Sequence, residues 1–64
     1  MITVNGKNVE VKNLQLSELL AQMDLMNKLC AIEVNKKLVP HKEKDAYKLQ
    51  DGDIVEIVTL VGGG

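Results

Sequence analysis

The sequence predicts a small α+β domain with the element order ββαββ, and three features of its 64 residues indicate this class. Two short stretches of alternating apolar and polar residues flank an Asn-Gly pair near the start of the chain. A stripe of leucines at helical spacing follows them. The last long apolar run, residues 54–61, is dominated by the β-branched residues that strands favour.

Residues 1–12 are predicted to form a β-hairpin. Ile2 and Val4 fall on one face of the first strand, and valines continue the alternation in the second strand. Asn5 and Gly6 lie between the strands, and this pair favours a two-residue turn because both residues tolerate a positive φ.

An amphipathic helix is predicted over about residues 15–26. Either Ser17 or Asn13 is available to cap its first turn, and the sequence does not decide between them. The apolar residues that recur at i, i+3, i+4 and i+7 are Leu16, Leu19, Leu20 and Met23.

The second half of the chain predicts three more strands. Residues 29–35 alternate, with Cys30 on the inner face, and a turn at residues 36–37 leads to a short strand at residues 38–39. Residues 41–48 are polar and predict a solvated loop with up to one helical turn. Asp51-Gly52-Asp53 then turns the chain into the final strand.

A hairpin, a crossing helix and later strands together imply a mixed sheet with the helix packed on one face. Because crossover connections are right-handed, a later strand should lie parallel to the first. This is the β-grasp, or ubiquitin-like, arrangement.

Composition excludes several classes of function. A chain of 64 residues is one domain, and 45% apolar residues suffice for a compact core. A net charge of −1 and a single aromatic residue argue against a nucleic-acid partner. We also expect no membrane span, no signal peptide and a cytoplasmic location, since a lone Cys30 fits a reducing compartment.

Directly after the predicted last strand, the chain ends in Gly62, Gly63 and Gly64. Glycine adds no side chain to a core, whereas three extended residues reach roughly 10 Å and can enter a narrow channel. We therefore predict a folded domain at residues 1–61 and a flexible, functional tail at residues 62–64. A frayed end or a cloning remnant is the alternative, and a phosphate-binding loop is excluded because no helix follows the glycines.

The order of the predicted elements and the terminal glycines together resemble the ThiS family, the ubiquitin-like sulfur carriers of thiamine biosynthesis. The resemblance covers essentially the whole chain. It departs at His41 and Lys44, where the family often has Arg and Trp. The matching segments are Asn5-Gly6, Ser17-Glu18-Leu19-Leu20, residues 34–40, residues 49–53 and residues 56–64.

The resemblance implies a protein cosubstrate and not an enzyme. In the family, a ThiF-like E1 adenylyltransferase uses ATP to adenylate the terminal carboxylate, here Gly64. A persulfide sulfur donor converts the adenylate to a thiocarboxylate, and the thiazole synthase ThiG uses the sulfur. Gly62 and Gly63 would thread the partner's active site, and this chain would bind no cofactor itself.

The last strand also predicts a docking surface. If Val55 points into the core, then Ile54, Val58 and Leu60 point outward, and exposed apolar positions beside a functional tail suggest a partner. Glu56 shares this face, which Met1, Thr3 and Ala31 extend. Ordinary scatter of apolar surface residues is the alternative.

Other reactive residues predict no second site. Cys30 has apolar neighbours and is predicted to be a buried structural thiol and not a persulfide carrier. His41 has no ligand partners at metal-site spacing, so no metal is expected. No nucleophile lies beside a base, so no catalytic residue is predicted. Two alternative functions remain: a MoaD-like carrier for molybdopterin synthesis, or a TGS-type β-grasp binding module without acyl chemistry.

Overall fold

The computed structural model describes residues 1–60, which form a mixed sheet with one α-helix packed on one face. In the sheet the strands are ordered β2-β1-β5-β3-β4; β1 and β5 are parallel, and the other neighbours are antiparallel. This topology confirms the predicted β-grasp fold; β4 is the short strand predicted at residues 38–39, which the order ββαββ does not count. The elements are β1 (Ile2–Val4), β2 (Lys7–Val9), α1 (Leu16–Gln22), β3 (Cys30–Val34), β4 (Lys37–Leu38) and β5 (Ile54–Thr59).

The opening hairpin forms where the Asn-Gly pair predicts it. Asn5 has φ 49° and Gly6 has φ 85°, so both turn residues take the left-handed conformation that a tight two-residue turn requires. Ile2 pairs with Val9 across the hairpin. β2 is shorter than predicted, because a 3₁₀ turn at Lys12–Leu14 follows it and leads into the helix.

The helix is shorter than predicted. Leu16, Leu19 and Leu20 are buried as expected, but α1 ends at Gln22 and leaves Met23 exposed. Asp24, with φ 61°, ends the helical path, and Leu25 enters the core where the next turn would have been. Neither proposed cap is used: Gln15 is the N-cap residue, and its side chain makes no capping hydrogen bond.

The second hairpin turns one residue earlier than predicted. Asn35 and Lys36 have φ 52° and 70°, so they form the turn, and β4 begins at Lys37. The Asn35 side chain explains this position. It accepts a hydrogen bond from the Ile54 backbone amide at 3.0 Å and donates to the Asp53 carboxylate at 3.0 Å. The turn is therefore held against the start of β5.

The polar segment after Pro40 contains one unexpected core contact. A 3₁₀ turn forms at His41–Glu43, in agreement with the predicted single helical turn. Lys44, however, is only 8% exposed, so assigning it to a solvated face was wrong. Burial of a lysine is compatible with an apolar environment, because its four-carbon stem can pack against apolar residues while its ammonium reaches water.

The α-amino group of Met1 forms an ion pair with Asp51, the one found among residues 1–60. The ammonium donates a hydrogen bond to the Asp51 carboxylate and attracts its charge, and both effects hold the pKa of Asp51 below its usual 3.8. A pKa that is lower in the folded state stabilises the fold above the unfolded-state value.

We therefore expect Asp51→Asn to lower the Tm slightly at pH 7, because the pair is exposed. The stabilisation is lost as the pH falls through the folded-state pKa, so the two Tm values should converge in strong acid. Thermal unfolding followed by circular dichroism across this range checks the prediction. A Tm difference that stays constant down to strong acid would contradict it.

Candidate functional site

The structure describes the point from which the predicted tail departs. β5 ends at Thr59, and the Leu60 backbone amide donates a hydrogen bond to the Leu29 carbonyl at 2.8 Å. Gly62, Gly63 and Gly64 lie outside the described residues, so their roles and the boundary at residue 61 stay predictions. Within residues 1–60, the site consists of the strand that leads to the tail and the surface beside it.

β5 is anchored on both sides over its first half. Its pairing with β1 ends at Val55, but the Asn5 side chain continues the ladder. Asn5 accepts a hydrogen bond from the Ile57 amide at 2.8 Å and donates to the Ile57 carbonyl at 3.1 Å. Beyond Ile57, the pairing of β5 continues with β3 alone, as far as Thr59. The strand is thus firmly held up to a few residues before the tail.

The register predicted for β5 is confirmed. Val55 is 0% exposed and Ile57 is 7% exposed, whereas Val58 is 61% exposed. Ile54 and Leu60 are also exposed, as predicted for the docking surface. The sheet therefore presents an outer face, directed away from the helix, with apolar residues along its central strand.

Pairing between β3 and β5 brings four outward-facing residues together in an apolar patch, which consists of Leu29, Ala31, Val58 and Leu60. Ala31 is paired directly with Val58, and the hydrogen bond from Leu60 to Leu29 continues the same alignment. Leu29 is 60% exposed and was not predicted as part of the surface. The alternation of Ala31 outward and Cys30 inward was the signal that could have identified it.

The remaining predicted residues lie at the edges of this face. Thr3 is partly exposed and pairs with Ile54, while Met1 is exposed at the start of β1. Leu38, on the edge strand β4, is exposed on the far side of Glu33 and was also missed. The outer face thus has its apolar patch at the tail end and more scattered apolar residues at the other end.

A groove adjoins the apolar patch on the helix side. It has a volume of about 520 Å³ and lies between the end of α1 and the end of β5. Leu29 and Leu60 belong to both the groove and the apolar patch, so the two surfaces are continuous. The lining residues are Met23, Asp24, Leu25, Lys28, Leu29, Thr59 and Leu60.

Cys30 is a free, buried thiol on the core side of β3, as predicted. His41 is exposed, and residues 1–60 contain no cluster of three His, Cys, Asp or Glu side chains that could hold a metal ion. No helix among these residues is long and apolar enough to cross a membrane.

Comparison with known proteins agrees with this architecture. The model of the ThiS family matches residues 2–64. The chain is 38% identical over 66 residues to sulfur carrier protein ThiS of Bacillus subtilis, and the match covers 100% of both chains. It is 33% identical over 64 residues to sulfur carrier protein ThiS of Thermus thermophilus, again over 100% of both.

A solved structure gives the same result. The crystal structure of the thiamine biosynthesis protein ThiS from Geobacter metallireducens has a TM-score of 0.76 at 33% identity, covering 98% of this chain and 97% of that one. The comparisons confirm both the resemblance seen in the sequence and the β-grasp fold. The chain belongs to the ThiS family of sulfur carrier proteins.

Proposed function

We propose that this chain is the sulfur-carrying cosubstrate in thiazole formation for thiamine biosynthesis. In this reaction a ThiF-like E1 enzyme joins the Gly64 carboxylate to AMP at the expense of ATP. The outer sulfur of a persulfide donor then attacks the carbonyl and displaces AMP, which gives an acyl disulfide. A thiol reductant cleaves its S–S bond to leave the thiocarboxylate, and ThiG takes the sulfur from it. The reaction takes place in the cytoplasm, and the chain itself contributes no catalytic residue and binds no cofactor.

One observation carries the proposal: exposed apolar side chains continue along β5 to Leu60, immediately before the glycine-rich end of the chain. Such a surface suits a partner that docks on the outer face and receives the adjoining tail. Val58 and Leu60 would lie in the buried centre of that interface, where apolar contacts contribute most. Ile54 would lie farther from the tail.

The chemistry explains why a carrier of this form is useful. A carboxylate is a poor electrophile, and joining it to AMP provides a good leaving group for attack by the persulfide sulfur. The partner supplies positioning and charge stabilisation, so the carrier needs only a slim, unhindered acyl group. Gly64 provides that carbonyl carbon, while Gly62 and Gly63 allow close approach of the partner's walls.

The proposal is tested by incubating the chain with the ThiF-like enzyme of the same organism and ATP. We expect pyrophosphate release that depends on the chain, and an AMP adduct detected by intact mass spectrometry. Pyrophosphate release that does not require the chain, or no adduct at the C-terminal peptide, would contradict the proposed function.

Leu60→Glu tests the docking surface in the same assay. A charge placed where apolar surface is desolvated should raise the KM for the carrier at least about tenfold, with kcat little changed. Ala21→Glu is the matched control, because it adds the same charge at an exposed position on the helix. If both variants show the wild-type KM, the outer face is not the interface.

A further inference from the structure

The outer face carries two carboxylates at its centre, and the proposed function does not use them. Glu33 on β3 and Glu56 on β5 are directly opposite each other in the ladder. In an antiparallel ladder, hydrogen-bonded and non-hydrogen-bonded residue pairs alternate. Asn35 donates a backbone hydrogen bond to Ile54 (2.7 Å) and Leu60 donates one to Leu29 (2.8 Å), so these two pairs are hydrogen-bonded. By alternation the acidic pair, Glu33 and Glu56, is also a hydrogen-bonded pair, with Cα atoms about 5.5 Å apart.

The lysines that lie in the strands do not share the outer face with the acidic pair. All eight basic side chains are lysines, and the two that lie in strands, Lys7 and Lys37, are paired with the buried Val4 and Val34. They therefore belong to the opposite face of the sheet. Among residues 1–60, neither glutamate takes part in an ion pair.

The neighbours of the acidic pair on the outer face are uncharged. Leu38 pairs with Glu33 on its far side, and the parallel alignment places Asn5 beside Glu56, with its amide already bonded to Ile57. Like charges directly opposite each other destabilise a sheet. The domain therefore keeps two like charges opposite each other, with uncharged neighbours in the ladder on either side.

This arrangement is complementary to one kind of group. A guanidinium is planar and has five N–H donors, so it can bind two carboxylates at once while its flat face lies against apolar side chains. A lysine ammonium is a point charge with no such geometry. A second copy of this chain would bring a further acidic pair against the first, which disfavours self-association through this face.

We propose that the partner enzyme docks on the outer face through an arginine that binds Glu33 and Glu56 together, beside the apolar patch. The inference rests on the proposed function, because it concerns the same adenylating partner. The apolar patch supplies buried area, and the acidic pair supplies orientation and faster association. Relief of the repulsion on binding adds to the attraction.

The test uses the adenylation assay with Glu33→Gln, Glu56→Gln and the double variant. We expect the KM for the carrier to rise about threefold in each single variant and about tenfold in the double variant, with kcat unchanged. The wild-type KM should rise with ionic strength, and this dependence should flatten in the double variant. Glu43→Gln is the matched control, since Glu43 is an exposed carboxylate in the His41–Glu43 turn.

Thermal unfolding separates recognition from a structural role. Because glutamine removes the repulsion, the Tm of each variant should stay level or rise while the KM worsens. A lowered Tm accompanied by a wild-type KM would overturn the inference. So would a double variant with the wild-type KM and salt dependence, and in that case the proposed function would still stand.

A charge swap identifies the partner group. Glu33→Lys/Glu56→Lys should lose adenylation at carrier concentrations that saturate the wild type, and one arginine-to-glutamate variant of the partner should restore it. Restoration only by a lysine-to-glutamate variant of the partner would overturn the assignment of arginine. A wild-type dimer that the double Gln variant dissociates would assign the face to a second copy instead. Absence of adenylation in the wild type would reject the proposed function and the inference together.

Discussion

Replacing Gly63 with valine should abolish adenylation of the chain while leaving its folded domain unchanged. A branched Cβ next to the reacting residue would block the narrow channel through which the tail is proposed to pass. It would also restrict the backbone, which glycine leaves free. Displacing the carbonyl by about 1 Å from its reacting position is enough to cost about a hundredfold in rate. Deleting Gly64 leaves the Gly63 carboxylate as the chain end, one residue short of the reacting position, and should have the same result.

The measurement is chain-dependent pyrophosphate release, with the Tm of each variant as the control for folding. Gly63→Ala gives a graded comparison, since a single methyl group should reduce the rate less than an isopropyl group does. Both valine and deletion variants should unfold at the wild-type Tm, because glycine has no side chain that could stabilise the core. Full adenylation of either variant, or a clear fall in Tm, would count against the assigned role of the tail.

Ile57→Glu should unfold the domain. Ile57 is 7% exposed in the middle of β5, and the substitution replaces a buried apolar side chain with a carboxylate in the core. Loss of a buried isoleucine alone costs about 2–5 kcal/mol, and burying the charge adds to that. A domain of this size is stable by roughly 3–10 kcal/mol, so little or no folded protein should remain at 37 °C.

The next residue provides the matched control. Val58 lies in the same strand but is exposed on the outer face, so Val58→Glu should remain folded with a Tm close to the wild type. Circular dichroism and urea unfolding distinguish the two variants directly. If Ile57→Glu folds and Val58→Glu does not, the register of β5 is shifted by one residue.

The parts of the fold that could be predicted are those set by local patterns. The Asn5-Gly6 turn and the Leu16, Leu19 and Leu20 stripe require only backbone preference and periodicity, and both appear where expected. The register of β5 follows from strict alternation with a buried Val55. These signals determine which face of the sheet is outward and where the tail departs.

The features that sequence reasoning missed depend on contacts between distant segments. The second turn falls on Asn35 because its amide bonds to the start of β5, which lies 19 residues further along the chain. Similarly, Lys44 looks like a surface residue by type, and only the packing of its stem reveals that it is buried. The exposure of Leu29 and the pairing of the two glutamates both require the β3–β5 register.

Family membership also bears on the alternative functions. A TGS-type binding module and a MoaD-like carrier share general features of this fold, whereas the ThiS family matches residues 2–64. The full-length matches to two sulfur carrier proteins favour a carrier over a binding module.

Two groups in the chain could hold sulfur: the thiol of Cys30 and the carboxyl group of Gly64. A reactive cysteine needs exposure and a nearby positive charge, but Cys30 is buried on the core side of β3. A carboxylate that ATP activates has no such requirement. We therefore expect the Cys30→Ala variant to accept sulfur as the wild type does.

The most direct test incubates Cys30→Ala with the ThiF-like enzyme, ATP, a persulfide donor and a thiol that releases the thiocarboxylate from the acyl disulfide, and then maps the product by mass spectrometry. The account predicts one sulfur in place of one oxygen on the C-terminal peptide, and this sulfur should resist a thiol reductant that removes persulfides. A variant that accepts no sulfur, or wild-type protein with its sulfur on the Cys30 peptide, would contradict the role of Gly64.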